Sequence, residues 1–243
     1  MASLLIATPC YGKVLGEGYL HSVMASIDLL RSKGHEVKVY TIGNESLITR
    51  ARNNQVAYFL SSPHDHMMFI DADISWTAKA LLDLLESNHD VCGIPYPTKM
   101  RDWDKVVTFA KNKFEKGEEI KPKELMNSSL RFTVNRIGKT EAPKEGWAEV
   151  DALGTGFFMM KRHVLEKMRD HFRETLSYKN DVKGYLKIAP EEHCVALFET
   201  MIDPKTRRYL SEDYAFCRRW IDLGGKIHAC LKHRIIHTGT TDF

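Results

Sequence analysis

His66-Met67-Met68-Phe69-Ile70-Asp71-Ala72-Asp73 is the stretch on which the reading of the chain turns. A short apolar run ends abruptly at two carboxylates one residue apart. Such a run reads as a strand covered on both faces, the kind found in the middle of a parallel sheet. In open α/β sheets ligands bind in the crevice beyond the carboxyl ends of the strands, where loops and helix N-termini converge. The acidic pair therefore stands where chemistry is expected.

Working toward the N-terminus, the pattern predicts two β-α units ahead of this strand. Ser3 to Thr8 and Glu36 to Thr41 read as strands, and Tyr19 to Ser32 and Leu47 to Leu60 as helices. Alternation of this kind means a parallel sheet. Toward the C-terminus, Ala78 to Ser87 has helical spacing and Val91 to Ile94 reads as a buried strand. From Lys99 to Trp147 the periodicity fades, with a short strand at Leu130 to Asn135 the one regular element suggested in it. Order returns at Glu149 to Leu153, a Gly154-Thr155-Gly156 turn, Phe157 to Met160 and a helix from Arg162 to His171. Ser211 reads as the N-cap of a helix stopped by Gly224-Gly225, and Lys226 to Leu231 as a last strand before a His237-Thr238-Gly239 tail.

Composition narrows the class. The 243 residues are 43% hydrophobic and 28% charged, which fits one globular domain. A net charge of +3 is too small to argue for nucleic-acid tracking. The densest charged run, Lys111 to Lys123, mixes both signs and reads as a solvated loop without a function. Five cysteines without CxxC spacing suggest neither a disulfide framework nor a zinc knuckle, and a reducing compartment fits best. His228, Cys230, His233 and His237 crowd together, but strand alternation explains them without zinc. No stretch approaches the roughly 20 apolar residues of a membrane span, and a cytoplasmic location is expected.

Several residues suit the binding of a phosphorylated nucleotide. Asp71 and Asp73 could share a divalent cation at the frayed strand end. Thr8, Pro9 and Tyr11 close the first strand, with Tyr11 free to stack on a base. Arg50, Arg52 and Asn53 open a helix at the same edge, where guanidinium forks and N–H groups suit phosphate or a base edge. Lys99 could add an anion contact, with an ordinary surface lysine the plainer reading.

Four motifs in this order, Asp71-Ala72-Asp73, Gly154-Thr155-Gly156, Ser211-Glu212-Asp213 and His237, resemble the signature of GT-A glycosyltransferases across nearly the whole chain. Through Ser46-Leu47-Ile48-Thr49-Arg50-Ala51-Arg52-Asn53 and Phe69-Ile70-Asp71-Ala72-Asp73-Ile74, the chain is similar to small family-2-like enzymes of bacteriophages and large viruses. The resemblance implies a GT-A (Rossmann-like) α/β fold with a mixed, mostly parallel sheet flanked by helices. It implies a single domain whose nucleotide-binding half is residues 1–98 and whose acceptor-side half is 99–243.

By the same resemblance Asp73 ligates the metal, Asp71 meets the donor ribose or reaches the metal through water, and His237 is the third protein ligand. Mn²⁺ is expected ahead of Mg²⁺, because an imidazole joins the carboxylates. Asp213 would be the base of an inverting transfer and Glu212 would orient the acceptor. Gly154, Thr155 and Gly156 would let backbone approach a sugar closely. A UDP-sugar, by default UDP-glucose, is the expected donor, and the acceptor is a viral or surface glycan or a hydroxymethylated pyrimidine in DNA. Rival readings are a non-catalytic nucleotide-sugar-binding module and a haloacid-dehalogenase-type phosphohydrolase. The latter places its Asp-x-Asp after the first strand, not the third. A nucleotidyltransferase would need a glycine-rich phosphate loop that Thr8-Pro9-Cys10-Tyr11-Gly12 does not supply.

Overall fold

A computed structural model describes residues 1–136, 145–181 and 190–239. Strand β1 (Ser3–Cys10), helix α1 (Glu17–Ser32), β2 (Glu36–Gly43), α2 (Ile48–Leu60) and β3 (His66–Ile70) form the expected opening units. They are followed by β4 (Ile74–Ser75), α3 (Ala78–Glu86) and β5 (Val91–Gly93). An excursion then holds β6 (Pro97–Arg101), α4 (Trp103–Glu115), α5 (Pro122–Ser128) and β7 (Leu130–Phe132). Next come β8 (Val134–Arg136), β9 (Trp147–Leu153), β10 (Phe157–Lys161) and α6 (Arg162–Leu176). The chain closes with β11 (Met201–Ile202), β12 (Tyr209–Leu210), α7 (Glu212–Asp222), β13 (Ile227–Cys230) and β14 (Ile236–His237).

One eight-stranded sheet carries the fold, in the order β2-β1-β3-β10-β5-β13-β9-β8. β1 pairs in parallel with β2 and β3, and β5 with β13. β10 lies antiparallel between β3 and β5, and β9 antiparallel to both β13 and β8, so six of the eight strands share a direction. The mixed, mostly parallel sheet flanked by helices is the architecture expected from the sequence. Both halves of the chain contribute strands to it.

Period-two alternation splits the core between the two faces. Leu5, Ala7, Met67 and Phe69 pack on one side with Phe59 of α2, Val164 of α6 and Phe216 of α7. Leu4, Ile6, Met68 and Ile70 pack on the other with Tyr19 of α1 and Leu81 and Leu85 of α3. The Phe198 ring meets Phe69 edge-on at 5.2 Å and stacks on Phe216 at 4.4 Å. Each fully buried phenylalanine contributes about 1.5–3 kcal/mol.

The loop reading of 111–123 is corrected. Its first residues complete α4 and its last open α5, leaving only a short loop between the helices. Charge on one side of an amphipathic helix had obscured the helical period. The suggested strand at 130–135 is split into β7 and β8 at Thr133, whose N–H turns aside to the Tyr96 carbonyl at 3.0 Å. Ser211 stands at the N-cap position of α7, but its hydroxyl donates to the Asp213 carboxylate and makes no capping bond. All five cysteines are buried free thiols. No described helix is long and apolar enough to cross a membrane.

Candidate active site

The carboxyl end of β3 opens into a cleft of about 600 Å³. Its wall gathers Pro9 and Tyr11 from the end of β1, Glu45 and Ser46 between β2 and α2, and Ile48 and Arg52 of α2. Asp71, Ala72 and Asp73, then Tyr96, Thr155, Glu212, Asp213 and His237, complete it. A separate, mostly apolar cavity of about 480 Å³, walled by Leu130, Phe132, Val150 and Ile235 among others, has no Asp or Glu among its described lining residues. Of its lining residues, Cys230 is a buried free thiol and His233 is engaged with Asp83 at 2.7 Å.

His237 reaches Asp73 because the tail re-enters the fold. β14 pairs antiparallel with β4, matching His237 with Ile74, and the Thr238 N–H donates to the Asp73 carbonyl at 2.8 Å. The Pro97 carbonyl lies 2.8 Å from His237 Nδ1 and can only accept, so Nδ1 carries the proton. In the neutral ring that leaves a lone pair on Nε2, which lies 3.5 Å from Asp73 Oδ1. A metal-ligating histidine is oriented in this way. The Lys99 ammonium pairs with Oδ2 of the same carboxylate. Burial pushes the Asp73 carboxyl up, but His237, when its ring carries both protons, and the Lys99 ammonium outweigh it and bring it to about 2.

Asp71 is turned elsewhere. Its Oδ1 accepts from Arg52 Nη2 at 3.0 Å, while Arg52 Nε lies 3.4 Å from Glu212 Oε1. Arg52 is 3% exposed and packs its guanidinium on Phe69, 5.0 Å from the ring centre. Burial opposes its charge, but Asp71 and Glu212 outweigh that and hold it cationic. The guanidinium thus bridges the two acidic motifs, and its Nη1 is buried without a described partner. Burial pushes the Glu212 carboxyl up, Arg52 opposing and Asp213 adding to the shift. Asp213 Oδ1 accepts from the Ser211 hydroxyl and from the Tyr214 N–H. The Thr155 hydroxyl is buried in the cleft wall and likewise has no described partner.

Other expected site residues are placed differently. Thr8 is fully buried with its hydroxyl 2.6 Å from that of Tyr19, so its side chain faces the core. Asn53 is buried too, and its Oδ1 accepts the Phe198 N–H at 2.8 Å. Arg50 forms a fork on Glu45 at 2.7 and 2.8 Å and does not line the cleft. Gly154 and Gly156 are small for Tyr96: an added Cβ would lie 2.8 and 2.6 Å from its hydroxyl oxygen. The close approach that requires glycine comes from this buried residue, at Gly154 also from Thr133 Cβ at 2.8 Å and at Gly156 also from Asp71 Oδ2 at 2.8 Å.

Sequence reasoning missed Tyr96 and Glu45. The Tyr96 hydroxyl accepts the Gly156 N–H at 3.0 Å, and its ring stands edge-on to His237 at 5.2 Å. Burial pushes its phenol up. Both residues follow strands that run the same way as β3, the signal that singled out Asp71. The expected set of three metal ligands is not assembled either: Asp71 is turned to Arg52, and among the described residues no group of three His, Cys, Asp or Glu side chains is placed to hold a metal ion. The C-terminal His and Cys crowd is dispersed, with His228 stacked on His89 and His233 2.7 Å from Asp83.

Fold and cleft together define an α/β protein with an acidic, arginine-bridged pocket at the carboxyl ends of its strands. No family model and no curated protein sequence matches the chain. Among solved structures the chain is similar to A197 from STIV, at TM-score 0.47 and 16% identity, with 98% of this chain and 86% of that one covered. It is also similar to GalNAc-T7, crystallised with UDP, GalNAc and Mn²⁺, at TM-score 0.40 and 11% identity, with 98% and 43% covered. Likeness at this level carries no argument about chemistry, which rests on the cleft.

Proposed function

We propose that the protein is a metal-dependent, GT-A-type glycosyltransferase that moves a sugar from a nucleoside diphosphate donor, UDP-glucose in the first instance, to an acceptor hydroxyl with inversion. The observation that carries this reading is that Asp71-Ala72-Asp73, Glu212-Asp213 and His237, far apart in sequence, line one cleft. Asp73 and His237 Nε2 fit a divalent cation, Mn²⁺ before Mg²⁺. The Lys99 ammonium on the same carboxylate speaks for a place that attracts positive charge. A cation held there would neutralise the charge that develops on the departing diphosphate.

Each remaining side chain has a defined task. Asp213 takes the proton of the acceptor hydroxyl, and since both its described contacts use Oδ1, Oδ2 is the oxygen assigned to that proton. Arg52 fixes Asp71 and Glu212 relative to one another. Pro9 and Tyr11 receive the nucleoside, with Tyr11, 76% exposed, free to stack on the base. Lys99, paired with Asp73, is the side chain that would meet a phosphate of the donor. A glycan is the first acceptor to try and hydroxymethylated DNA the second.

The test is thermal unfolding with a panel of nucleotide sugars, with and without Mn²⁺, followed by transfer to glycans and to hydroxymethylcytosine DNA. Asp213→Asn should keep the donor-dependent shift and lose transfer by about 10²–10⁴-fold. A panel in which no nucleotide sugar gives a Mn²⁺-dependent shift sinks the proposal.

A further inference from the structure

The excursion between β5 and β8 carries more exposed apolar surface than the cleft requires. No residue of α4 is buried. Trp103, Val107 and Phe114 fall at i, i+4 and i+11, one stripe of the helix, and are 69%, 52% and 82% exposed. Met100, just ahead of the helix, and Met126 on α5 are 66% and 59% exposed. An apolar stripe turned to water has a cost unless something covers it.

Charge says what covers it. Residues 97–132 contain nine Lys and Arg against six Asp and Glu, a net of +3, which equals the net charge of the whole chain. The rest of the protein is balanced, so the surplus lies in the excursion that carries the stripe, and α4 itself has three lysines against two acidic residues, a net of +1. On the helical projection Lys111 follows Val107 on the outer side of the stripe, and Lys116 caps the helix. Tryptophan and phenylalanine on one face with lysines beside them are the makeup of a helix lying in a bilayer interface. A second copy of the chain fits less well. Protein interfaces take about 20–30 residues a side, whereas this is a single row of side chains with a phenylalanine projecting from its end.

We propose that α4 docks the protein on an anionic lipid surface, its Trp103-Val107-Phe114 stripe in the interface and its lysines on the headgroups. The excursion is rooted beside the cleft, since Lys99 of β6 pairs with Asp73 and the Pro97 carbonyl holds His237. Docking would bring the cleft close to the membrane. The proposal does not depend on the assignment of a sugar transfer.

Co-sedimentation of the full chain with phosphatidylcholine vesicles, with and without phosphatidylglycerol, tests it. The expected result is binding to the anionic vesicles that weakens with added salt. Trp103→Glu/Phe114→Glu should cut that partition by about tenfold or more. Both sites are exposed, so the unfolding midpoint should stay unchanged and shows that the variant is folded. Lys111→Glu/Lys116→Glu should weaken binding to anionic vesicles only. Failure of the wild type to bind either vesicle overturns the proposal, as does undiminished binding by the aromatic variant. So does a dimer, seen by light scattering, that the aromatic substitutions dissolve, because a second copy would then own the stripe.

Discussion

Replacing Arg52 by methionine would test the bridge that joins the two acidic motifs. Methionine matches the length of the apolar stem and can keep the packing on Phe69, but removes the charge 3.0 Å from Asp71 and 3.4 Å from Glu212. Removing one partner of a buried ion pair costs about 3–5 kcal/mol. Asp71 and Glu212 side chains are 27% and 16% exposed, so water relieves part of this and the low end, about 3 kcal/mol, is the working figure. For a chain of this size that corresponds to a Tm lower by about 6–12 °C. The loss should depend on pH in a definite direction. Burial already pushes the Glu212 carboxyl above its usual 4.5, and removing Arg52 pushes it further. A carboxyl whose folded pKa is raised costs stability in full above that pKa and nothing below the unfolded one. The deficit of Arg52→Met should therefore be largest near pH 8 and shrink as the pH falls toward 4.5, read by thermal unfolding across that range. A shift under about 2 °C at pH 8, or a deficit that grows on acidification, would refute the reasoning.

His237→Ala should leave the metal-free protein folded, at a cost of about 1 kcal/mol for the lost bond to Pro97, and erase the Mn²⁺ dependence of donor stabilisation in thermal shift. Persistence of that dependence would remove His237 from the ligand set. His89 and His228 stack 3.8 Å apart, and burial pushes both below 6.5, with repulsion from His228 adding to the shift at His89 and Glu149 partly opposing it at His228. With folded values below the unfolded one, stability is lost as pH falls under 6.5, and His228→Phe should flatten that part of a urea-midpoint profile. Gly93→Ala would set a Cβ 2.6 Å from the Phe157 carbonyl oxygen in mid-sheet, for a cost of about 1–3 kcal/mol or more in chemical denaturation.

The parts of the fold legible in the sequence are those in which one period dominates a segment. His66–Ile70 is buried except at its first residue and ends where the pattern ends, so its bounds were readable to the residue. Helix α4 was not readable, because its apolar stripe faces water and charges surround it. The polarity of α2 misled in a different way. Asn53 looked like a ligand residue, yet its amide oxygen is spent on the Phe198 backbone, a partner distant in sequence. Arg52 is the converse: its type suggested phosphate, while its position between Asp71 and Glu212 depends on the approach of α7, which no local pattern encodes.

Strand β10 enters the sheet late and from the opposite direction, filling the place between β3 and β5. Those two neighbours are made early and cannot zip to each other; each awaits a strand encoded well downstream. A fragment stopping at residue 98 would thus possess most of the cleft's lining but lack Thr155, Glu212, Asp213 and His237, and its sheet would have a missing plank. The first half of the chain cannot be lent to another protein as a cassette. Assembly of the cleft must wait on long-range pairing, the kind of contact that slows folding, and is tied to the synthesis of strand residues that lie outside it.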